Sequence, residues 1–152
     1  MGLLRGPAVP LTYSERLALP ARAKGDSKVA DEKKTILIVD DEPDFIKILQ
    51  IRLEHAGYHV VAASNGVDAL KILEKETLQL VLLDVMMPDM NGYQFCRRAK
   101  SNPKTSKIPI IMVTAKAQES DRFWGLETGA ADYITKPYES SEMLEKIKRH
   151  IL

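Results

Sequence analysis

The sequence is poor in cysteine and lacks long apolar runs. Cys96 is the only cysteine among 152 residues, so no disulfide can form within the chain, which fits a reducing compartment. No apolar run approaches the roughly 20 residues of a membrane span, and the N-terminus lacks the apolar core of a signal peptide. The scattered His55, His59 and His150 form no zinc-binding pattern. We predict a cytoplasmic protein without membrane association.

An excess of charge is also missing, since 22 basic residues balance 21 acidic residues and the net charge is +1. Direct nucleic-acid binding by this chain is therefore not expected. The glycine-rich, lysine-terminated phosphate-binding motif is absent, which excludes a P-loop enzyme. The apolar fraction of 45% and charged fraction of 28% are ordinary for a globular domain with a hydrophobic core.

Residues 1–33 differ in composition from the rest of the chain. They contain Pro7, Pro10 and Pro20 and few large apolar side chains, which predicts a flexible N-terminal tail or linker. Residues 34–152 are predicted to form one folded domain. The sequence leaves open whether that domain stands alone or belongs to a longer protein, and it does not reveal the role or origin of the tail.

Five short apolar runs alternate with five segments of helical periodicity in residues 34–152. This alternation predicts an α/β fold with a parallel sheet covered by helices on both faces. Gly57 and Gly129 are predicted to end the first and fourth helices, and Asn65 to cap the second. The apolar residues assigned to the first helix at helical spacing are Phe45, Ile48, Leu49, Leu53 and Ala56.

Polar residues follow four of the predicted strands. Asp40 and Asp41 follow the first, Asp84 the third, Thr114 the fourth and Lys136 the fifth. Carboxyl ends of parallel strands meet at one sheet edge, where ligand sites form. Two carboxylates about 4 Å apart repel by roughly 4 kcal/mol at an effective dielectric of ~20, a cost that Mg²⁺ would relieve. A carboxylate nucleophile beside a metal, a hydroxyl and a lysine is typical of a phosphoryl acceptor site.

Each residue also has a purely structural interpretation. Residues 40–43 could cap the first helix, with Pro43 at an early helical position. Asp84 could open a turn, Thr114 could simply end a strand, and Lys136 could be a solvated loop lysine. Independent turn chemistry has no reason to select successive strand ends, so the combination favours a site.

Four separated motifs resemble those of the receiver domains of two-component response regulators. They are IVDDE at 38–42, LDVMMPDMNG at 83–92, VTAK at 113–116 and GAADYITKP at 129–137. The resemblance extends over about residues 34–152. It implies a flavodoxin-like, doubly wound sheet of five parallel strands in the order 2-1-3-4-5, with five helices.

The resemblance also implies a role for each motif residue. Asp84 would accept the phosphoryl group, and Mg²⁺ or Mn²⁺ would be bound by Asp41, Asp84 and the backbone carbonyl of Met86, with Asp40 acting indirectly. The donor would be a sensor histidine kinase or a phosphotransfer protein. Such a domain is not an enzyme in the usual sense, since it catalyses only its own phosphorylation and slow autodephosphorylation.

Conformational switching is implied for a second group of residues. Thr114 and Lys136 would move toward the phosphoryl group, and Tyr133 would turn inward as Thr114 moves. The peptide bond from Lys136 to Pro137 would be cis. The surface formed by the fourth helix, the fifth strand and the fifth helix would change shape as a result.

Phosphoryl lifetime depends on the side chains two residues after the acceptor and two after the threonine. Here these are Met86, which orients a water molecule poorly, and Lys116, which would shield the phosphoryl group, so a long-lived phosphoaspartate is expected. On the switching surface, partial exposure of Phe123 or Trp124 is expected, because adjacent helical positions point about 100° apart. The charged residues proposed for a homodimer contact there are Arg122, Glu127, Asp132, Glu142, Lys146 and Lys148. Ala131 stands where relatives often carry an acid, so one contact is not expected.

Competing functions fit less well. A haloacid-dehalogenase-type phosphatase would need a second acid at the place of Met86, and an FMN-binding protein would need a Ser/Thr/Gly-rich loop after the first strand. A receiver-fold scaffold or interaction module that is not controlled by phosphorylation stays open. The partner kinase, the downstream output and the oligomeric state also stay open.

Overall fold

The computed structural model describes residues 33–116 and 118–151. Apart from Lys33, the predicted tail lies outside these residues. Strands and helices alternate in the order β1 (Thr35–Val39), α1 (Pro43–His55), β2 (His59–Ala63), α2 (Gly66–Lys75), β3 (Leu80–Leu83), α3 (Gly92–Ser101), β4 (Ile110–Thr114), α4 (Glu119–Glu127), β5 (Asp132–Thr135) and α5 (Ser140–His150). None of the helices in the described ranges is long and apolar enough to cross a membrane.

The five strands form one sheet in the order β2-β1-β3-β4-β5, and every neighbouring pair is parallel, as predicted. Val39 at the end of β1 lies beside Ala63 of β2 and Leu83 of β3. The strand order reverses between β1 and β3, and a crevice opens at such a point beyond the carboxyl ends of the strands. The residues that follow β1 and β3 therefore face each other across this crevice.

The sheet is buried on both faces, which explains its continuous apolar strands. Successive side chains of a strand point to opposite faces. Leu37 and Val39 accordingly belong to one hydrophobic cluster, which includes Phe95 and Cys96 of α3, whereas Ile38 belongs to the other cluster, with residues of α1 and α5. These two layers fix the strands, and hence the residues at their ends.

Helix ends follow the predicted signals. Gly57 and Gly129 have φ values of 101° and 108°, a conformation that glycine adopts without strain, and they follow α1 and α4. The side chain of Asn65 accepts a hydrogen bond from the backbone N–H of Asp68 at 2.8 Å, which caps α2 as predicted.

The buried face of α1 contains only part of the apolar set assigned to this helix. Ile48 is 55% exposed, and Ala56 is exposed beyond the helix end. The buried stripe contains Leu49, Gln50 and Leu53. Because Gln50 is polar, hydrophobicity alone points to a face rotated away from the true one.

Candidate functional site

Three carboxylates meet where β1 and β3 end. One oxygen each of Asp40, Asp41 and Asp84 lies within 4.8 Å of the others, and Asp40 and Asp84 are buried whereas Asp41 is exposed. Lys136, which follows β5, places its Nζ 2.8 Å from Oδ2 of Asp40 and 3.7 Å from Oδ2 of Asp84. The structure thus brings together acidic and basic residues that lie up to 96 positions apart.

Two of the carboxylates are also held by the backbone that follows them. Asp40 accepts a hydrogen bond from the N–H of Glu42 at 2.9 Å, and Asp84 accepts one from the N–H of Met86 at 3.1 Å. Pro43 begins α1, while the N-cap residue Glu42 makes no side-chain capping bond. The turn role considered for Asp84 therefore exists, whereas α1 has no side-chain cap at Glu42. The two backbone bonds orient the same carboxylates that converge in the crevice.

The charges in the crevice are only partly compensated. Burial raises the pKa of Asp40 above its ordinary value, although hydrogen bonds from Lys136 and the N–H of Glu42 act in the opposite direction. The Asp40 and Asp84 carboxylates share the ammonium of Lys136, whose side chain is 15% exposed, and the Asp41 carboxylate lies beside them. Mg²⁺ prefers a few carboxylate ligands and several water molecules. The three carboxylates match this preference, because Asp41 is accessible to solvent. The residues present therefore fit a hard divalent cation.

The loop that follows β3 is packed tightly against the start of α3. A Cβ atom on Gly92 would lie 2.6 Å from the carbonyl oxygen of Asp84 and 2.8 Å from Cα of Val85. The N–H of Gly92 donates to the carbonyl oxygen of Val85 at 3.0 Å. Only glycine permits this approach, which fixes the backbone directly behind Asp84.

Thr114 and Tyr133 are joined through Lys116. Thr114 is buried at the end of β4, and its Oγ1 lies 3.5 Å from the N–H of Lys116. The Tyr133 ring is buried, and its hydroxyl donates to the carbonyl oxygen of Lys116 at 2.8 Å. Burial raises the pKa of Tyr133 far above its ordinary value, so the phenol remains a donor at neutral pH. Tyr133 is thus already directed inward.

The residues proposed to control phosphoryl lifetime line one cleft. Met86 and Lys116 border it together with Asp41, and Met86 is 57% exposed. Nζ of Lys116 lies 3.6 Å from a carboxylate oxygen of Asp121, the residue that also accepts from the N–H of Gln118. The peptide bond between Lys136 and Pro137 is cis, as the resemblance implies.

The proposed dimer residues differ in their surroundings. Asp132 already pairs within the chain, with Nζ of Lys146 at 3.2 Å and Nε2 of His150 at 2.9 Å. The guanidinium of Arg122 lies 5.8 Å from the centre of the Tyr133 ring. The exposed members of the set are Arg122, Glu127, Glu142 and Lys148.

An apolar pair stands beside these charges. Phe123 and Trp124 are each 55% exposed, and their rings contact edge to face with centroids 5.4 Å apart. The predicted exposure of this part of α4 is confirmed, and it extends to both rings. Because Gly125 is the only buried residue of α4, the helix presents most of its surface outward.

Sequence reasoning missed two residues at the site. Glu42 lies 3.8 Å from Nζ of Lys136, and the ring of Phe45 lies 3.7 Å from the same atom. Both belong to the segment that leads from Asp41 into α1, so their position next to the acidic motif was an available signal. Phe45 was assigned only to the apolar set of the first helix, and the structure finds it half-buried and packed against the core.

Comparison with known proteins relates this chain to response-regulator receiver domains. The family model described as the response regulator receiver domain matches residues 36–148. The chain is 47% identical over 118 residues to the probable transcriptional regulator ycf27 of Porphyra purpurea, covering 78% of this chain and 47% of that protein. It is 43% identical over 112 residues to protein PilH of Pseudomonas aeruginosa, covering 74% of this chain and 93% of that protein. The chain spans about half the length of several curated relatives, ycf27 among them.

A solved structure shares both fold and sequence features. The receiver domain of a sensor histidine kinase from Pseudomonas aeruginosa, determined with a magnesium ion coordinated in its active-site cleft, superimposes with a TM-score of 0.73. It is 29% identical in sequence, and the match covers 78% of this chain and 97% of that one.

Proposed function

The chain belongs to the response-regulator receiver family, and from this we propose that Asp84 accepts a phosphoryl group from a sensor histidine kinase or phosphotransfer protein. The supporting observation is the convergence of Asp40, Asp41, Asp84 and Lys136 at one sheet edge. In the transfer, a carboxylate oxygen of Asp84 bonds to phosphorus while the bond between phosphorus and the donor histidine nitrogen breaks. The imidazole leaves with that electron pair.

A divalent metal fits this site and its chemistry. Asp41, Asp84 and the backbone carbonyl of Met86 would hold Mg²⁺ or Mn²⁺, with Asp40 acting indirectly. When bound, the metal neutralises charge on the transferring phosphoryl oxygens. The magnesium-containing receiver domain from Pseudomonas aeruginosa supports this assignment by analogy.

Lys136 and Thr114 would hold the transferred group. The Lys136 ammonium already lies between Asp40 and Asp84, so a short rotation brings it to a phosphoryl oxygen. The Thr114 hydroxyl is attached to the segment containing Lys116 only by a long contact of 3.5 Å, which costs little to break. Movement of this segment would displace Tyr133, because its hydroxyl donates to the Lys116 carbonyl oxygen. The surface of α4, β5 and α5 would change shape as a result.

Intact-mass spectrometry after treatment with acetyl phosphate and Mg²⁺ tests the assignment. We expect the wild type to gain one hydroxylamine-labile phosphoryl group, and Asp84→Asn to gain none. Asp89→Asn is the matched control, because Asp89 is an exposed carboxylate of the same loop and asparagine tolerates its φ of 68°. Full labelling of Asp84→Asn would refute the assignment of Asp84 as the phosphoryl acceptor. An unlabelled wild type would favour the receiver-fold scaffold that is not controlled by phosphorylation.

A further inference from the structure

The Lys136 ammonium has an aromatic neighbour as well as acidic ones. The ring centre of Phe45, in the first turn of α1, lies 3.7 Å from Nζ of Lys136. Phe45 is supported by Tyr138, whose ring meets it edge to face at 6.2 Å and 90°. The ammonium therefore lies against the Phe45 ring, which in turn contacts the Tyr138 ring from the segment that follows β5.

The ring and the carboxylates act on the ammonium in different ways. Asp40 accepts a hydrogen bond of 2.8 Å and so fixes one direction of the ammonium. The face of an aromatic ring attracts a cation through its quadrupole and offers no single acceptor atom. An ammonium held against a ring face can therefore turn from one oxygen to another without losing that attraction.

Confinement matters for this lysine, because its side chain is a flexible four-carbon chain with considerable rotamer entropy. Cation–π attraction strengthens when the cation is removed from water, and the Lys136 side chain is 15% exposed. The position also leaves Nζ 3.7 Å from Oδ2 of Asp84, close to where a phosphoryl group on that residue would stand.

We propose that Phe45 is a positioning residue for phosphorylation of Asp84, its ring face holding the Lys136 ammonium at the acceptor while that ammonium turns from Asp40 to a phosphoryl oxygen. The inference rests on the proposed function of Asp84. It assigns to the start of α1 a part in the chemistry that neither Asp40 nor Asp41 supplies.

The first test is the rate at which acetyl phosphate labels Asp84 at saturating Mg²⁺. We expect Phe45→Leu to slow labelling by roughly 3- to 10-fold, the range expected for one partly desolvated cation–π contact. Phe45→Tyr keeps a ring face and should stay close to the wild-type rate. Ile48→Ala is the control. Ile48 is an apolar residue of α1 that is 55% exposed and lines one groove together with Phe45 and Lys136. Its labelling rate should not change.

Two further measurements separate positioning from simple packing. Replacing Phe45 with phenylalanines of increasing fluorination weakens the ring quadrupole at nearly constant shape, so the labelling rate should fall stepwise. In a Lys136→Gln background, Phe45→Leu should have no further effect on the rate. Melting curves of each variant exclude those that fail to fold.

A spectroscopic readout does not depend on phosphorylation. Protons next to Nζ of Lys136 should show an upfield ring-current shift in NMR spectra, and Phe45→Leu should abolish it. A wild-type rate in Phe45→Leu, a flat fluorination series or the absence of the ring-current shift would each overturn the proposal. If the wild type is not labelled at Asp84 at all, the proposed function fails as well, whereas normal labelling with a flat series removes only the role of Phe45.

Discussion

Met86 is placed to influence hydrolysis of the phosphoaspartate that we propose at Asp84. Its backbone N–H donates to the Asp84 carboxylate, and its side chain is exposed in the cleft that Lys116 and Asp41 also line. Hydrolysis requires a water aligned with the bond between phosphorus and oxygen. A thioether is a weak acceptor and orients water poorly. These properties support the expectation of a long-lived phosphoaspartate.

Substituting Met86 should therefore change the lifetime in a predictable direction. We expect Met86→Asn to speed decay of the phosphoaspartate on the order of fivefold, equivalent to about 1 kcal/mol in activation free energy. Met86→Leu keeps an apolar side chain of similar size and should decay at the wild-type rate. The measurement is loss of the phosphorylated mass with time after removal of acetyl phosphate. Slower or unchanged decay of Met86→Asn would contradict the argument.

At the scale of secondary structure elements, the end of α5 is attached to β5 through Asp132. Burial would raise the pKa of this carboxyl, but hydrogen bonds from His150, the N–H of Tyr133 and Lys146 outweigh it and hold the pKa below its ordinary value. A carboxyl with a lowered folded-state pKa stabilises the fold above its unfolded-state pKa, roughly 3.9. That stabilisation is lost as the pH falls through the folded-state pKa.

Asp132→Asn should accordingly destabilise the fold only at pH values above the folded-state pKa of Asp132. We expect a loss of about 1 kcal/mol in the free energy of unfolding at pH 7, and little difference from wild type near pH 3. Urea unfolding of both proteins at each pH provides the measurement. A difference that is equal at both pH values would show that the ionised carboxylate is not responsible.

The sequence was sufficient to predict elements whose signals are local. Asn65, Gly57 and Gly129 act through adjacent backbone, so their caps and helix ends were predicted correctly. The buried face of α1 was not predicted, because it depends on how the helix rotates against the sheet, and a buried Gln50 conceals that rotation. Local pattern carries no information about such a rotation when apolar residues occupy both sides of a helix.

The site was predictable in outline for a similar reason. Parallel strands place their carboxyl ends at one edge of the sheet. This rule was enough to predict that Asp40, Asp84 and Lys136 lie close together, as they do. The ring of Phe45 over Lys136, and the bond of His150 to Asp132, depend on side-chain orientation across elements. No spacing rule within one element predicts contacts of that kind.

At the scale of the whole molecule, repulsion among the three carboxylates links metal binding to stability. A ligand that binds only the folded state stabilises it by mass action, by about 1.4 kcal/mol at a concentration ten times its dissociation constant. We expect Mg²⁺ to raise the melting temperature. Asp41→Asn should melt higher than wild type without metal and gain less from Mg²⁺. Unchanged wild-type melting at high Mg²⁺, together with metal-independent phosphorylation, would contradict the proposed metal site.

Assembly through the surface of α4, β5 and α5 is a second whole-molecule prediction. Because Lys146 already pairs with Asp132 within the chain, the cross-subunit pairs that need no rearrangement are Arg122 with Glu142 and Glu127 with Lys148. Exposed pairs contribute only about 0–1 kcal/mol each, so the rings of Phe123 and Trp124 would have to supply most of the contact.

Sedimentation with and without beryllofluoride, a phosphoryl mimic, tests this assembly. We expect a dimer with the mimic, weakened by salt and abolished in Arg122→Glu. Arg97→Glu, the same charge reversal at an exposed position of α3, should still dimerise. A monomer under every condition would defeat the prediction and leave this surface to a different protein partner.

The strand order has a consequence for how the site is assembled during folding. Asp40, Asp84 and Lys136 follow three different strands, and Lys136 lies 96 positions from the carboxylate with which it pairs. No contiguous stretch of β1 through β4 contains the complete set, so the acceptor site is assembled only when β5 has joined the sheet. A partly folded chain in which β5 has not joined the sheet therefore lacks Lys136 beside Asp40 and Asp84. Under the proposed function, transfer of a phosphoryl group to Asp84 with the help of Lys136 would require the complete sheet.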